Sequence, residues 1–160
     1  MTRLAVFLAT AGYSGYFPIA PGTVGSAVGL VVYAALRQAQ PVTGLPLAVL
    51  EVVAIAAVFF VGIWAGTVSE NHFGGTDPGP IVLDEVVGML ITVAFIPVGL
   101  SAAIAGFFLF RIADIIKPFP ARRFEALHGG LGVMADDAMA AVYANLSLRA
   151  VLWALPGWVA

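Results

Sequence analysis

Two pairs of adjacent carboxylates stand out among the residues that could do chemistry. Asp84 and Glu85 directly precede an uncharged apolar run, and Asp136 and Asp137 open a second, mostly apolar run. Six of the nine acidic residues lie in two loops or at the helix ends beside them: Asp77, Asp84, Glu85, Asp114, Asp136 and Asp137. Because a carboxylate at bilayer depth costs roughly 2.5–3.5 kcal/mol, an uncompensated cluster beside such apolar runs would be expensive. The cluster therefore needs a neutralising partner.

Mg²⁺ is the partner that this set of side chains fits best. Carboxylate oxygens are hard ligands, and Mg²⁺ is typically held by a small number of carboxylates together with waters and phosphate oxygens. The chain has no cysteine and only two histidines, so a Zn²⁺ site is a poor alternative. A second interpretation stays open, in which Asp84 and Asp136 are favourable first-turn residues that offset a helix dipole. Paired acids at two places favour the metal site.

Two further motifs are candidates for binding a phosphate group. Arg111, Asp114 and Lys117 follow one another at three-residue steps, which places them on one face of a helix as two cations around an acid. The stretch "PIAPGTVGS" makes a turn before a helix, where Thr23 and Ser26 can cap or meet an anion. Snorkelling bases and close helix packing explain the same motifs without a ligand, so both alternatives stay open.

The composition predicts a membrane protein. Hydrophobic residues make up 61% of the 160-residue chain and charged residues 10%, against about 25% charged residues in an ordinary soluble domain. The net charge of -2 and the absence of a basic tract make a nucleic-acid partner unlikely on electrostatic grounds. Membrane lipids are the expected surroundings. The absence of cysteine excludes a catalytic mechanism with a Cys nucleophile.

Gly, Pro and charge clusters divide a single predicted domain, residues 1–160, into five helical segments. The fold class predicted is therefore an all-α, helical integral membrane bundle. Approximate bounds of the segments are 23–37, 45–69, the two halves of a hairpin at 84–113, and 136–155. Pro97 and Gly99 motivate the hairpin, because proline removes a backbone hydrogen bond from a helix interior. Either half is too short to span about 30 Å of hydrocarbon, which favours a re-entrant or peripheral hairpin.

The hairpin decides whether the acidic motifs can meet. With a single crossing, the two acidic loops lie on opposite membrane faces; with a hairpin they share one face with "PIAPGTVGS". The bases support the hairpin, since it puts Arg37 on the opposite face from five others: Arg3, Arg111, Lys117, Arg122 and Arg123. By the positive-inside rule, the motif face is then cytoplasmic.

Four motifs in this order closely resemble the phosphatidylglycerophosphatase A family: "PIAPGTVGS", "DPGPIVLDEVVGM", "FRIADIIKPFP" and "HGGLGVMADDAMAAVYA". The resemblance implies a Mg²⁺-dependent phosphatase of the bacterial inner membrane that converts phosphatidylglycerophosphate to phosphatidylglycerol. It carries metal-binding roles to Asp77, Asp84, Glu85, Asp114, Asp136 and Asp137. Catalytic roles are expected for Asp84, Glu85, Lys117, Asp136 and Asp137, and phosphate-binding roles for Thr23, Ser26, Arg111 and Lys117.

Three other functions compete with this one. Intramembrane acids also mark ion and solute transporters, but here they gather at helix ends on one face rather than along a span. Another Mg²⁺-dependent head-group enzyme is a second alternative, although the DGxxAR motif of the CDP-alcohol transferases is absent. A purely structural membrane protein leaves the six acids unexplained.

Overall fold

A computed structural model describes residues 1–155, and within them every regular element is helical. Seven α-helices follow one another, with a single 3₁₀ turn at Ser14–Tyr16: α1 Thr2–Ala9, α2 Pro21–Thr43, α3 Leu47–Phe73, α4 Leu83–Val93, α5 Leu100–Ile116, α6 Ala121–Phe124 and α7 Gly130–Ala154. The predicted all-α class is confirmed. The five predicted segments correspond to α2, α3, α4, α5 and α7, and the last five residues of the predicted single domain lie outside the described part.

The predicted hairpin is present as two separate antiparallel helices. α4 ends at Val93 and α5 begins at Leu100, with Pro97 in the intervening turn. Gly88 faces the ring of Phe110, and a Cβ on Gly106 would lie 3.5 Å from Thr92, so the two helices run past each other in opposite directions. α4 has 11 residues. At 1.5 Å per residue its length is only about 16 Å.

α4 is the central helix of the bundle. Eight of its 11 residues are buried, and it packs against α2, α3, α5 and α7. Glycines on α2 permit the closest of these approaches, because a Cβ on Gly29 would lie 2.6 Å from the Cβ of Met89. The N-terminal end of α4, which carries the first acidic pair, is therefore enclosed by its neighbours.

The turn between α4 and α5 is held by polar side chains that the sequence did not single out. Five of them, from α2, α3 and α7, bind backbone groups in or beside this turn: Tyr33, Arg37, Glu51, Asn145 and Arg149. The N–H group of Phe95 donates to Glu51 Oε2 at 3.0 Å, and the Tyr33 hydroxyl donates to the Ile96 carbonyl oxygen at 3.0 Å. Buried backbone groups need such partners. The five side chains therefore stabilise a partly buried, non-helical turn.

α7 begins six residues earlier than predicted, at Gly130 rather than Asp136. The N–H group of Gly130 donates to Thr67 Oγ1 at 2.9 Å, and a side chain at Gly130 would overlap the Ile63 carbonyl oxygen of α3. The glycines of "HGGLG" thus let α7 start directly against α3. Asp136 and Asp137 consequently lie in the second turn of α7, and the expectation that they open the helix was wrong.

α3 is long and apolar enough to cross a membrane, and it is the one such helix among residues 1–155. Only 11% of its most apolar 18-residue window is buried. Large apolar side chains are also exposed on α2 and α5, among them Val31, Phe108 and Ile112. Extensive exposed apolar surface marks contact with lipid or with other protein. The bundle therefore has an apolar exterior around a core that carries acids.

Candidate active site

The two acidic pairs meet at one end of the bundle. Asp84 and Glu85 lie in the first turn of α4, and Asp137 faces them from α7. One carboxylate oxygen from each of the three lies within 4.8 Å of the others. Asp84 is 6% exposed and Asp137 only 2%. The hairpin brings the two motifs to the same place, which a single continuous helix over 86–110 would have prevented.

These three side chains, called the carboxylate triad below, hold oxygens that no N–H or hydroxyl group of the described residues satisfies. Asp84 Oδ1, Glu85 Oε2 and Asp137 Oδ2 are buried and accept no hydrogen bond from the described residues. Buried polar atoms without a partner are rare in proteins, and ionised acids this close repel one another. A divalent cation would remove both costs, since hard oxygen donors are what Mg²⁺ prefers. The donor set therefore fits the predicted metal.

Arg111 joins the triad to α5. Its Nη1 atom lies 2.8 Å from Asp114 Oδ2 and 3.6 Å from Glu85 Oε1. The Arg111 side chain remains 18% exposed, so part of it is accessible to a ligand. Of the two cations predicted around Asp114, Arg111 pairs with it, whereas Lys117 pairs with Asp136; Asp114 itself is outside the triad.

Lys117 and Asp136 form a second charged pair beside the triad. Lys117 terminates α5 with φ 46°, and its ammonium group donates to Asp136 Oδ2. Asp136 Oδ1 accepts a hydrogen bond from the Asp137 N–H at 2.9 Å. Burial alone would lower the pKa of Lys117, but the hydrogen bond and charge of Asp136 outweigh it and raise that pKa. Both Asp136 oxygens are thus engaged, which separates Asp136 from the triad.

Asp77 lies on the exposed loop between α3 and α4, with φ 47°. Its N–H group donates to Glu70 Oε1 at 2.9 Å, which fixes the loop to the end of α3. Desolvation of its carboxyl group, followed by the charge of Asp136, raises the pKa of Asp77 to about 6. Asp77 belongs to the electrostatic surroundings of the triad without joining its three oxygens.

The N-terminal turn of α2 contributes a residue that the sequence did not predict. A Cβ on Gly22 would overlap Glu85 Oε1 and lie 2.9 Å from Arg111 Nη1. Thr23, the adjacent residue, is partly exposed in the same turn. Ser26 is fully buried and its hydroxyl donates to the Gly22 carbonyl oxygen at 2.9 Å, so the structure does not bring Ser26 to the triad. The turn "APGT" is the sequence feature that could have indicated Gly22, because only glycine leaves room there for the side chains of Glu85 and Arg111.

The chain is similar to known proteins over most of its length. The family model for phosphatidylglycerophosphatase A matches residues 7–152. The chain belongs to this family. Two relatives named phosphatidylglycerophosphatase A are those of Haemophilus influenzae, 36% identical over 91% of this chain and 85% of the relative, and of Escherichia coli, 37% identical over 81% and 72%. No solved structure matches the chain.

A third relative carries a different substrate in its name. A Bacteroides thetaiotaomicron protein, provisionally named phosphatidylinositol-3-phosphatase, is 37% identical over 95% of this chain and 96% of its own length. The phosphatidylglycerophosphatase A family is a family of phosphatases, so the chain is an enzyme of this class. The resemblance stated from the four motifs is confirmed, and family membership favours the phosphatase over the transport and transferase alternatives.

Proposed function

We propose that the protein hydrolyses phosphatidylglycerophosphate to phosphatidylglycerol and inorganic phosphate, with Mg²⁺ bound at the carboxylate triad. The observation that carries this proposal is the convergence of three carboxylate side chains from α4 and α7, each of which also keeps one buried oxygen that accepts no hydrogen bond from the described residues. Such a site attracts a cation strongly. Once a cation is held there, a phosphate group can approach acids that would otherwise repel it.

Asp84, Glu85 and Asp137 would hold the metal. Mg²⁺ would polarise the phosphoryl oxygens and orient the attacking water. Asp77, Asp114 and Asp136 remain in the predicted ligand set, as residues whose charges surround the triad. Among them Asp136 has a second task, because its hydrogen bond fixes the Lys117 ammonium group next to Asp137.

Lys117 and Arg111 would neutralise charge on the phosphate group as the phosphorus–oxygen bond breaks. They stand on either side of the acids, one paired with Asp136 and the other with Asp114. Fixed cations that need no reorganisation during the reaction are effective in stabilising developing negative charge. Thr23, partly exposed beside Gly22, is the remaining candidate for a contact with the phosphate oxygens.

The surroundings proposed are the bacterial inner membrane, with several membrane-crossing segments and the triad on the cytoplasmic face. α3 has the length and apolar surface for a crossing. The turn of the α4–α5 hairpin has its backbone groups satisfied by side chains, which is the condition for non-helical backbone at membrane depth. A lipid substrate could then keep its acyl chains in the bilayer while its phosphate group reaches the triad.

A phosphoinositide is the second candidate substrate, because the relative from Bacteroides thetaiotaomicron is named for one. Both lipids carry a phosphate monoester on a polar head group, so the triad chemistry is the same. The difference between the two lipids lies in the size of the head group.

Phosphate release by purified protein distinguishes the two substrates. We expect phosphatidylglycerophosphate to be hydrolysed with a kcat/KM at least tenfold above that of phosphatidylinositol 3-phosphate, each presented in the same detergent micelles with Mg²⁺. A higher kcat/KM for phosphatidylinositol 3-phosphate would identify the phosphoinositide as the substrate instead. Hydrolysis of neither lipid by folded protein would refute the proposal.

A further inference from the structure

An apolar groove runs along the outside of the bundle between α3, α4 and α7. Its cavity volume is about 540 Å³. The side chains that line it include Val52, Ala56 and Phe59 from α3, Ile91 from α4, and Ala138 and Val142 from α7. We call it the α3–α7 groove. Neither the triad chemistry nor the packing of the core accounts for an open apolar channel at this position.

The groove continues toward the end of α7 that carries Asp136 and Asp137. A second hollow of about 300 Å³ shares Phe59, Ile91, Ala138 and Val142 with it and extends to Ala135 and Phe124. Ala135 immediately precedes Asp136, and Ala138 immediately follows Asp137. At the other end the groove reaches Leu146. Leu146 follows Ala135 by eleven positions on α7, a distance of about 16 Å along the helix.

The groove offers an apolar ligand few competing polar contacts. The polar residue among its lining side chains, Asn145, already uses its amide group: Nδ2 donates to the carbonyl oxygens of Thr92 and Ala94, and Oδ1 accepts from Arg149. The rim is open to the exterior, since Val52 is 52% exposed and Leu146 is 59% exposed. A chain that enters sideways from an apolar environment would exchange one hydrocarbon contact for another.

We infer that the α3–α7 groove binds an acyl chain of the lipid substrate whose phosphate group meets the carboxylate triad. This inference rests on the proposed function, because it takes the substrate to be a phosphorylated lipid. The end of the groove at Ala135 and Ala138 lies at the level of Asp136 and Asp137 along α7, on a neighbouring face of the helix, and the groove leads away from that level along an apolar surface. An acyl chain bound in the groove fixes the position of the head group, so lipids with long acyl chains are oriented for hydrolysis.

Adjacent residues on α3 provide a matched test. Ala56 lines the groove, whereas Ala57 is exposed and outside it. Ala56→Phe should lower kcat/KM for dioleoyl phosphatidylglycerophosphate about tenfold, within the range expected when a hydrophobic subsite changes shape. The effect should lie mainly in KM, while the rate on dihexanoyl phosphatidylglycerophosphate changes less than twofold. Ala57→Phe should behave as the wild type on both lipids.

A second pair of variants tests the groove in case Ala56→Phe fails to fold. Val52→Trp narrows the groove and Val53→Trp does not, and both positions are more than half exposed, so both variants should fold. Equal losses on the long-chain and short-chain lipids, or equal effects of the groove and control variants, would overturn the inference. A wild-type oligomer that dissociates in Ala56→Phe without a chain-length effect would assign the groove to a second copy instead. Absence of hydrolysis by the wild-type protein would refute the proposed function and, with it, this acyl-chain site.

Discussion

At the residue scale, the three triad carboxylates are distinguished from their neighbours by what remains unsatisfied. Asp136 has both oxygens engaged, by Lys117 and by a backbone N–H group. Asp84 and Asp137 each keep a buried oxygen without a partner. Removing the charge of Asp84 or Asp137 should therefore raise the stability of the cation-free protein and remove the stabilisation that a bound cation gives.

Asp137→Asn should raise the melting temperature in EDTA and abolish the stabilisation by Mg²⁺. The substitution relieves repulsion among buried acids, and it also removes a ligand, so that binding no longer stabilises the native state. Melting curves of the wild type and the variant, with and without Mg²⁺, provide the measurement. A variant that is destabilised in EDTA, or that keeps the full Mg²⁺ shift, would contradict the triad.

Gly22→Ala should reduce phosphate release by about 10²-fold, a loss comparable to that of one preorganised electrostatic group. The added methyl group would overlap Glu85 Oε1 and displace Glu85 and Arg111. Ala27→Val adds bulk to an exposed position of the same helix and serves as the control. If Gly22→Ala kept wild-type kcat, the position of Glu85 would not matter for turnover.

At the scale of the elements, the α4–α5 hairpin is the device that brings the acids together. Its turn depends on side chains from three other helices, with Asn145 at the centre: Nδ2 lies 2.9 Å from the Thr92 carbonyl oxygen and 3.1 Å from those of Ile91 and Ala94. The hairpin is thus held at both ends, by polar contacts at the turn and by charged contacts at the triad.

Asn145→Leu should lower stability by about 1–3 kcal/mol, because the Thr92 carbonyl oxygen loses the donor Asn145 Nδ2 and Arg149 Nε loses its acceptor. The substitution is distant from the triad along α7 but lines the α3–α7 groove, so residual activity on the short-chain dihexanoyl lipid should follow the folded fraction. Denaturant or thermal unfolding in detergent measures the change, with Ser147→Ala at an exposed position of α7 as the control. Equal stability of the two variants would show that the turn does not need Asn145.

At the scale of the whole molecule, the account requires both acidic loops on one side of the membrane. The chain has no cysteine, so single cysteines can be introduced into an otherwise unreactive background. Thr76→Cys and His128→Cys should react only with reagents that reach the cytoplasm, and Thr43→Cys, at the end of α2, only from the opposite side. Labelling of Thr76→Cys and His128→Cys from opposite sides would contradict the arrangement of the bundle in the membrane.

Much of this architecture could be predicted because strong local rules applied. Length and apolar content predicted α3, and Pro97 with Gly99 predicted the break between α4 and α5. The start of α7 was missed, since glycines ordinarily interrupt helices. At Gly130 the close approach to Ile63 and the hydrogen bond to Thr67 outweigh that tendency, and neither contact is visible in the local sequence.

The sequence predicted what kind of site this is, but not which role each acidic residue has in it. Paired acids predicted a cluster, yet sequence alone could not tell Asp137, with a free oxygen, from Asp136, which pairs with Lys117. That distinction depends on which way two neighbouring side chains point on α7. Gly22 was missed for a related reason, because its contribution is the space it leaves for Glu85.

The most direct test of the central claim is inorganic phosphate release from phosphatidylglycerophosphate by the detergent-purified protein, with Mg²⁺ and with EDTA, beside Asp84→Asn. The account predicts release that requires Mg²⁺ and that falls by about 10²–10³-fold or more in the variant, because a cation ligand is lost. Release that persists in EDTA, or that Asp84→Asn leaves unchanged, would contradict a metal-dependent reaction at the carboxylate triad.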